Sequence, residues 1–218
     1  MEKEFWERAW EERNIGFHMT ETNVFLKWAL DNQVIQKRKT ALVTLCGKSL
    51  DLIFLRDLGF HVYGIEIAEA AVLEFFSENN LEYEVKQSES FKIFETRGIT
   101  IFCGDLFALS KDLLPKIDFI YDRASNVALP PEMRPDYYAK VKELSSKGTE
   151  MLLLTAHSQE KDIFGPPFSI PKEEIDAAYK EYTQEFKILQ EEKKKVTSKR
   201  LKEYGIKHRV MVAHYLKF

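Results

Sequence analysis

Short apolar runs alternate with amphipathic patterns of helical spacing along most of this chain, and this alternation limits the possible fold more than any other feature of the sequence. After the apolar run at 40–45, apolar residues recur at helical spacing between Leu50 and Leu58. Ser49 is placed to cap this helix and Gly59 to end it. The apolar runs that predict buried strands lie at 40–45, 61–65, 99–103, 117–121 and 151–154. Strands separated by helices pair in parallel, so this order predicts an α/β fold with helices on both faces of the sheet.

The C-terminal part differs, because two long strand-like runs at 186–196 and 208–218 follow each other without a clear helix between them. Such a pair predicts an antiparallel strand at the end of the sheet. Together with the five earlier runs it gives a mostly parallel seven-stranded sheet. Segment 84–98 is polar and weakly patterned, and we expect it to be a surface excursion. The sequence shows no repeat and no linker, so we expect residues 1–218 to form a single domain.

Composition and charge argue against several classes of function. The 218 residues are 44% apolar and 31% charged, which is typical of a folded globular protein. A net charge of −3 argues against nucleic-acid binding, which needs a basic surface. No window of the sequence is apolar enough for a membrane span, and the polar N-terminus has no signal core. Cys46 and Cys103 are too few for a disulfide framework or a zinc cluster, so we expect a soluble, cytosolic monomer with reduced thiols.

Acidic residues follow the predicted strands at the edge where open α/β sheets bind their ligands. Glu66 follows the second strand and Asp105 the third, while Gly47 lies in the turn after the first. Gly47-Lys48-Ser49 lacks the upstream glycine of a phosphate-binding loop, and the three glycines of a dinucleotide site are not present. S-adenosylmethionine carries no phosphate. Glu66 is placed to accept hydrogen bonds from its ribose hydroxyls, and Asp105 from its adenine amino group.

Each of these acidic residues also has a simpler explanation. Glu66 could be a strand-end carboxylate exposed to water, and Asp105 could be a helix N-cap. The joint occurrence of the two acids after consecutive strands, with Gly47 upstream, favours a cofactor site.

Motifs along nearly the whole chain are similar to those of one enzyme family. They are FWERAW at 5–10, LCGKSLDL at 45–52, CGDLF at 103–107, YDRASNVALPPEMR at 121–134 and GPPFSIP at 165–171. This combination resembles the thiopurine S-methyltransferase family, a branch of the class I S-adenosylmethionine-dependent methyltransferases. The resemblance implies the Rossmann-like fold of that class. It also implies S-adenosyl-L-methionine as cofactor and S-adenosyl-L-homocysteine as product.

The same resemblance implies which residues contact the cofactor. Residues 1–24 correspond to a lid segment that folds over it, although an amphipathic helix packed on the core would look the same in sequence. The residues implied in cofactor binding are Trp6, Trp10, Leu45, Gly47, Glu66, Ile67, Asp105, Leu106 and Arg123.

Two arginines are implied as catalytic by the resemblance. Arg123 corresponds to an arginine at the reacting end of the site, and Arg200 to a second arginine near the substrate. An ion pair of Arg123 with Asp122 or Glu132 is the structural alternative. The residues implied in substrate binding are Phe17, Arg123, Pro167, Phe168 and Arg200.

The predicted reaction is S-methylation of an aromatic or heterocyclic thiol. Ser158 and Gln159 depart from the Tyr-Asp pair that the family commonly has beside its substrate pocket. Halides, small alkyl thiols and selenium or tellurium compounds are alternative acceptors. A nicotinamide-dependent oxidoreductase and a non-catalytic cofactor-binding regulator are alternatives from other classes. The sequence indicates neither a metal site nor a general-base dyad, so we expect Arg123 to stabilise the anionic form of an acidic thiol.

Overall fold

The structure of the protein is a computed structural model. It describes residues 3–36, 39–158, 165–197 and 199–218, with only the backbone for 199–200. Contacts within the chain divide it into two compact units, Met1–Tyr121 and Asp122–Phe218. The expected α/β class is confirmed by strands and helices that follow each other along both units. Within the described residues, no helix has the length and apolar character needed to cross a membrane.

The first unit contains a sheet whose centre is parallel. Its strands are β1 Thr40–Val43, β2 His61–Glu66, β3 Glu84–Gln87, β4 Lys92–Thr96, β5 Ile99–Cys103 and β6 Phe119–Arg123, of which β6 ends in the second unit. Their order is β3-β4-β5-β2-β1-β6. β1 pairs in parallel with β2 on one side and with β6 on the other, and β2 pairs in parallel with β5. The strand order therefore reverses at β1, which is where sheets of this kind bind ligands.

Segment 84–98, expected as a surface excursion, instead forms the hairpin β3–β4. β4 pairs antiparallel with β5, so the described residues contain nine strands where seven were expected. The ring of Phe94 is buried and lies 6.0 Å from that of Phe76, between centroids. All four β3 residues are exposed at the edge of the sheet. Because no face of β3 is buried, its sequence does not alternate between apolar and polar residues, and that alternation is the signal that predicts a strand.

The described residues of the first unit form four α-helices. They are α1 Lys3–Glu11, α2 Val24–Asp31, α3 Asp51–Asp57 and α4 Glu69–Glu78. The apolar spacing between Leu50 and Leu58 predicts α3, whereas α2 was not expected. Asn23 caps α2, since its side-chain oxygen accepts hydrogen bonds from the N–H groups of Phe25 and Leu26 at 2.9 and 3.3 Å. A capping residue directly before an apolar run is a signal that could have predicted this helix.

A buried carboxylate joins three elements of the first unit. Asp51, the first residue of α3, is 2% exposed. Its Oδ1 accepts a hydrogen bond from the backbone N–H of Asn23 at 2.7 Å, and its Oδ2 one from the hydroxyl of Tyr121 at 3.1 Å. Because Asn23 precedes α2 and Tyr121 lies on β6, Asp51 fixes both elements relative to the turn after β1.

The second unit contains an antiparallel group of strands. They are β7 Glu150–His157, β8 Glu185–Lys195 and β9 His208–Lys217, in the order β7-β9-β8. β9 pairs antiparallel with both β7 and β8, which confirms the expected antiparallel C-terminal strand. The helices of this unit are α5 Ser125–Ala128, α6 Arg134–Leu144, α7 Lys172–Tyr179 and α8 Lys199–Glu203.

Candidate cofactor-binding site

The turn after β1 brings the backbone of Gly47 beside the end of β2. Leu45 and Gly47 both have positive φ angles, +43° and +52°. The N–H of Cys46 donates to the carbonyl of Ile65 at 2.9 Å, which holds the turn against β2. A Cβ atom at position 47 would lie 3.1 Å from Cζ2 of Trp10, closer than most real Cβ contacts. Glycine here therefore allows both the left-handed backbone and the close approach of the tryptophan.

Glu66 ends β2 and is buried, with 6% of its surface exposed. Its two carboxylate oxygens accept hydrogen bonds from the N–H groups of Gly47 and Ala68 at 2.8 and 2.9 Å. Burial raises the pKa of Glu66, and the N–H groups of Ala68, Gly47 and Ile67 counteract this rise. The alternative of a carboxylate exposed to water is therefore wrong. A carboxylate offers about four acceptor positions, so Glu66 retains capacity for a diol such as a ribose.

Three aromatic side chains of the N-terminal region form a cluster, and we call residues 6–17 the aromatic segment. The ring of Phe17 makes edge-to-face contacts with those of Trp6 and Trp10, at 5.7 and 5.6 Å between centroids. Trp10 is 2% exposed and packs against Ala68 and Ala71. The aromatic segment thus lies against the residues that follow β2. This placement agrees with a cofactor lid and also with a helix packed on the core.

The end of β5, which Asp105 follows, lies next to the end of β2. The N–H of Gly104, directly after β5, donates to the backbone carbonyl of Glu66 at 2.9 Å. The exposed Asp105 caps the short 3₁₀ helix Leu106–Ala108 by accepting a hydrogen bond from the N–H of Phe107 at 2.9 Å. Leu106 is buried. Asp105 is therefore an N-cap, and its contact with adenine stays a prediction.

Lys48 has a structural role that the sequence did not reveal. It is 5% exposed, and its Nζ lies 2.8 Å from Glu74 and 2.6 Å from Glu78, both on α4. This agrees with the rejection of a phosphate-binding loop, because both carboxylates bind the amine that such a loop would offer to phosphate. Glu74 and Glu78 stand four residues apart on one helix face, and this spacing was the available signal.

Arg123 is the last residue of β6 and is partly buried in the second unit. Asp122, directly before it, is fully buried and accepts hydrogen bonds from Asn126 and the hydroxyl of Tyr137, both at 2.7 Å. Ala124, directly after it, has a φ of +70°. These features fix the backbone from which the Arg123 side chain extends.

The Pro-Pro-Phe motif is held by backbone hydrogen bonds within the second unit. The N–H of Phe168 donates to the carbonyl of Val127 at 2.7 Å, and the carbonyl of Phe168 accepts a hydrogen bond from Arg209 at 2.5 Å. Pro167 and Phe168 are half-buried. The side chain of Arg200 and the whole of Gln159 lie outside the described residues.

Comparisons with known proteins identify the family. The family model described as thiopurine S-methyltransferase matches residues 1–214. A thiopurine S-methyltransferase of Pseudomonas fluorescens is 41% identical over 177 residues, which cover 80% of this chain and 79% of the relative. One from Pseudomonas aeruginosa is 38% identical over 179 residues, 82% of each chain. The solved structure of a SAM-dependent methyltransferase from Anabaena variabilis, at 15% identity, has a TM-score of 0.67 over 99% of this chain and 94% of that chain, and shows the same fold. This chain therefore belongs to the thiopurine S-methyltransferase family and is an S-adenosylmethionine-dependent methyltransferase.

Proposed function

We propose that this enzyme transfers the methyl group of S-adenosyl-L-methionine to the sulfur of an aromatic or heterocyclic thiol of the thiopurine type. The observation that carries the proposal is the buried Glu66 carboxylate, held by the N–H groups of Gly47 and Ala68 at the edge where the parallel strands end. Family membership supports thiol methylation, because the curated relatives are named for that reaction.

Glu66 would bind the cofactor ribose through the acceptor positions that its two short backbone hydrogen bonds do not use. Oδ1 of Asp105 caps the 3₁₀ helix, so its Oδ2 would accept the hydrogen bond from the adenine amino group. A carboxylate in this position accepts hydrogen bonds from free ribose hydroxyls and disfavours a ribose that carries a phosphate. Leu45, Ile67 and Leu106 would supply apolar contacts beside these two acids.

The aromatic segment would exclude water from the reacting groups. Trp10 already covers Gly47, and its contact with Phe17 extends this cover towards Trp6. Phe17 would also contact the substrate, as would Pro167, Phe168 and Arg200, which the family motifs indicate.

Arg123 would stabilise the thiolate form of the substrate. S-adenosyl-L-methionine, when bound, supplies an electrophilic methyl group on a sulfonium. A nearby guanidinium lowers the pKa of a thiol, which releases its proton to water. The thiolate held by Arg123 would accept this methyl group, and S-adenosyl-L-homocysteine would be left as a neutral thioether. Opposite charges cancel in this step, so a site shielded from water favours it.

A panel of acceptors tests the proposed substrate class. The purified protein would be given methyl-labelled S-adenosyl-L-methionine with 6-mercaptopurine, thiophenol, iodide or selenite in parallel. We expect label in the two aromatic or heterocyclic thiols and release of S-adenosyl-L-homocysteine. Faster labelling of iodide or selenite would contradict the proposed thiol substrate and favour a halide or a selenium compound as the acceptor. Cofactor binding without turnover of any acceptor would favour a regulator.

The Arg123→Ala variant tests the role of the guanidinium. We expect kcat to fall about a hundredfold with little change in cofactor affinity, because one charge contact to the reacting anion is lost. The loss should shrink at pH values above the pKa of the thiol, where the thiolate forms unaided. Arg123→Lys, which keeps a positive charge, is the matched control and should recover part of the rate. An equal loss of kcat and cofactor affinity would remove the substrate role.

We also propose a cytosolic location. Cys46 and Cys103 are both free thiols, and burial raises the pKa of each, with that of Cys103 at about 11. Reduced cysteines of this kind are typical of cytosolic enzymes. Fractionation of the source cells with an antibody against the protein would test this location.

A further inference from the structure

Four charged side chains of the first unit form a network beside α4, which we call the Glu74 cluster: Arg13, Lys48, Glu74 and Glu78. Oε2 of Glu74 lies 2.7 Å from Nη1 of Arg13 and 2.8 Å from Nζ of Lys48. The same Nζ lies 2.6 Å from Oε1 of Glu78. One carboxylate oxygen therefore binds two cations from distant parts of the sequence.

The two cations come from the two components of the proposed cofactor site. Lys48 directly follows Gly47, the residue whose backbone approaches the end of β2. Arg13 follows Trp10 by three residues, just after α1 and within the aromatic segment. Glu74 thus attaches the glycine turn and the aromatic segment to the same position on α4.

The backbone of Arg13 has a conformation that favours glycine. Its φ is +58°, and it occupies the left-handed position of a Schellman motif at the end of α1. The N–H of Asn14 donates to the carbonyl of Ala9 at 2.8 Å, and the N–H of Arg13 to that of Trp10 at 3.2 Å. Glycine would end the helix with less strain. The arginine side chain, with its bond to Glu74, therefore serves something other than the helix end.

The two halves of the Glu74 cluster differ in exposure. The side chain of Lys48 is 5% exposed, whereas that of Arg13 is 63% exposed. Salt screens exposed ion pairs strongly and buried pairs weakly. The ion pair with Lys48 therefore holds Glu74 in place, whereas the ion pair with Arg13 can break and re-form.

We propose that Glu74 is a positioning residue of this methyltransferase: held in place by Lys48, it keeps the aromatic segment closed over the Gly47 turn through its ion pair with Arg13. The inference rests on the proposed function, in which that segment covers the cofactor. Glu74 would then act on the rate at which the cofactor product leaves, and not on the methyl-transfer step.

Three variants separate this role from plain structural support. Glu74→Gln removes the carboxylate shared by both cations. Arg13→Gly removes only the exposed half and relaxes the left-handed residue, so it should leave thermal stability unchanged or raise it. Glu78→Gln is the matched control, because it removes one charge from the same helix and the same lysine but leaves the bond between Arg13 and Glu74.

The first readout is the binding of S-adenosyl-L-homocysteine, measured by calorimetry and stopped flow. We expect Glu74→Gln and Arg13→Gly to weaken binding roughly two- to fivefold through faster dissociation, with a smaller effect of Glu78→Gln. Raising NaCl from about 0.05 to 0.5 M should weaken binding to the unmodified protein and change binding to Arg13→Gly much less.

The second readout needs no cofactor. In a Trp28→Phe background the remaining tryptophans, Trp6 and Trp10, both lie in the aromatic segment. Acrylamide should quench their fluorescence more in Glu74→Gln and Arg13→Gly than in Glu78→Gln.

Unchanged quenching and unchanged affinity in Glu74→Gln and Arg13→Gly, in a protein that binds S-adenosyl-L-homocysteine normally, would overturn the role of Glu74 and leave the proposed function intact. Weaker binding with unchanged quenching would also overturn it, since the effect would not pass through the segment. Failure of the unmodified protein to bind would instead contradict the proposed function, while the quenching result would still report on the ion pair.

Discussion

Glu66 combines burial with two short hydrogen bonds to the backbone, so its side chain cannot be replaced without a measurable effect. In Glu66→Gln the amide oxygen can serve only one of the two N–H groups, and the negative charge that a ribose would meet is lost. Hydrogen bonds to charged groups contribute about 1.5–3 kcal/mol, so we expect S-adenosyl-L-methionine to bind roughly ten- to a hundredfold more weakly. Calorimetric titration measures this loss.

A neighbouring glutamate provides the control for that measurement. Glu69 begins α4 and pairs with Lys92 at 2.8 Å, with both side chains more than 40% exposed. Glu69→Gln removes the same charge from the same region, and its affinity and thermal stability should match those of the unmodified protein. Equal affinity in Glu66→Gln and Glu69→Gln would show that Glu66 does not contact the cofactor.

At the scale of elements, α2 depends on its N-cap. Asn23→Ala would leave the N–H groups of Phe25 and Leu26 without their side-chain acceptor, while the backbone bond from residue 23 to Asp51 remains. We expect the free energy of unfolding to fall by about 1 kcal/mol, as for other N-cap deletions. Urea titration of Asn23→Ala beside Asn23→Ser tests this expectation, because serine is also a good N-cap. Similar losses in both variants would assign the effect to packing.

The contrast between elements shows what sequence patterns can predict. The buried strands β1, β2 and β5 are apolar runs and α3 has apolar residues at helical spacing, so the sequence predicts these elements within a few residues. The edge strand β3 buries no side chain, and it joins the sheet through β4, which pairs with β5 on its other side. The residues of the candidate site also differ in how well the sequence predicts them. Strand-end chemistry indicated Glu66, whereas the link from Lys48 to Glu74 depends on how α4 packs.

At the scale of the whole molecule, two buried groups oppose each other in the acid range. His214 is 1% exposed, and burial lowers its pKa to about 4, so the unfolded chain takes up a proton below roughly pH 6.5 that the folded chain does not. Stability is therefore lost as the pH falls from about 6.5 towards 4. Asp122 acts in the opposite sense, because burial raises its pKa to about 6. Below that pH the folded chain takes up a proton before the unfolded chain does, and stability is gained.

Replacing one group at a time should expose this balance. At pH 5, relative to pH 7, linkage gives a loss of about 2 kcal/mol from His214 and a gain of about 1 kcal/mol from Asp122. His214→Gln keeps a side-chain amide near the hydroxyl of Thr155, which lies 3.1 Å from the histidine Nε2, and should make the protein lose less stability between pH 7 and 5 than the unmodified chain does. Asp122→Asn should lose more. Urea unfolding at both pH values measures the two slopes. Parallel pH profiles for all three proteins would show that neither group changes its pKa on folding, and acid sensitivity would then have to come from other carboxylates.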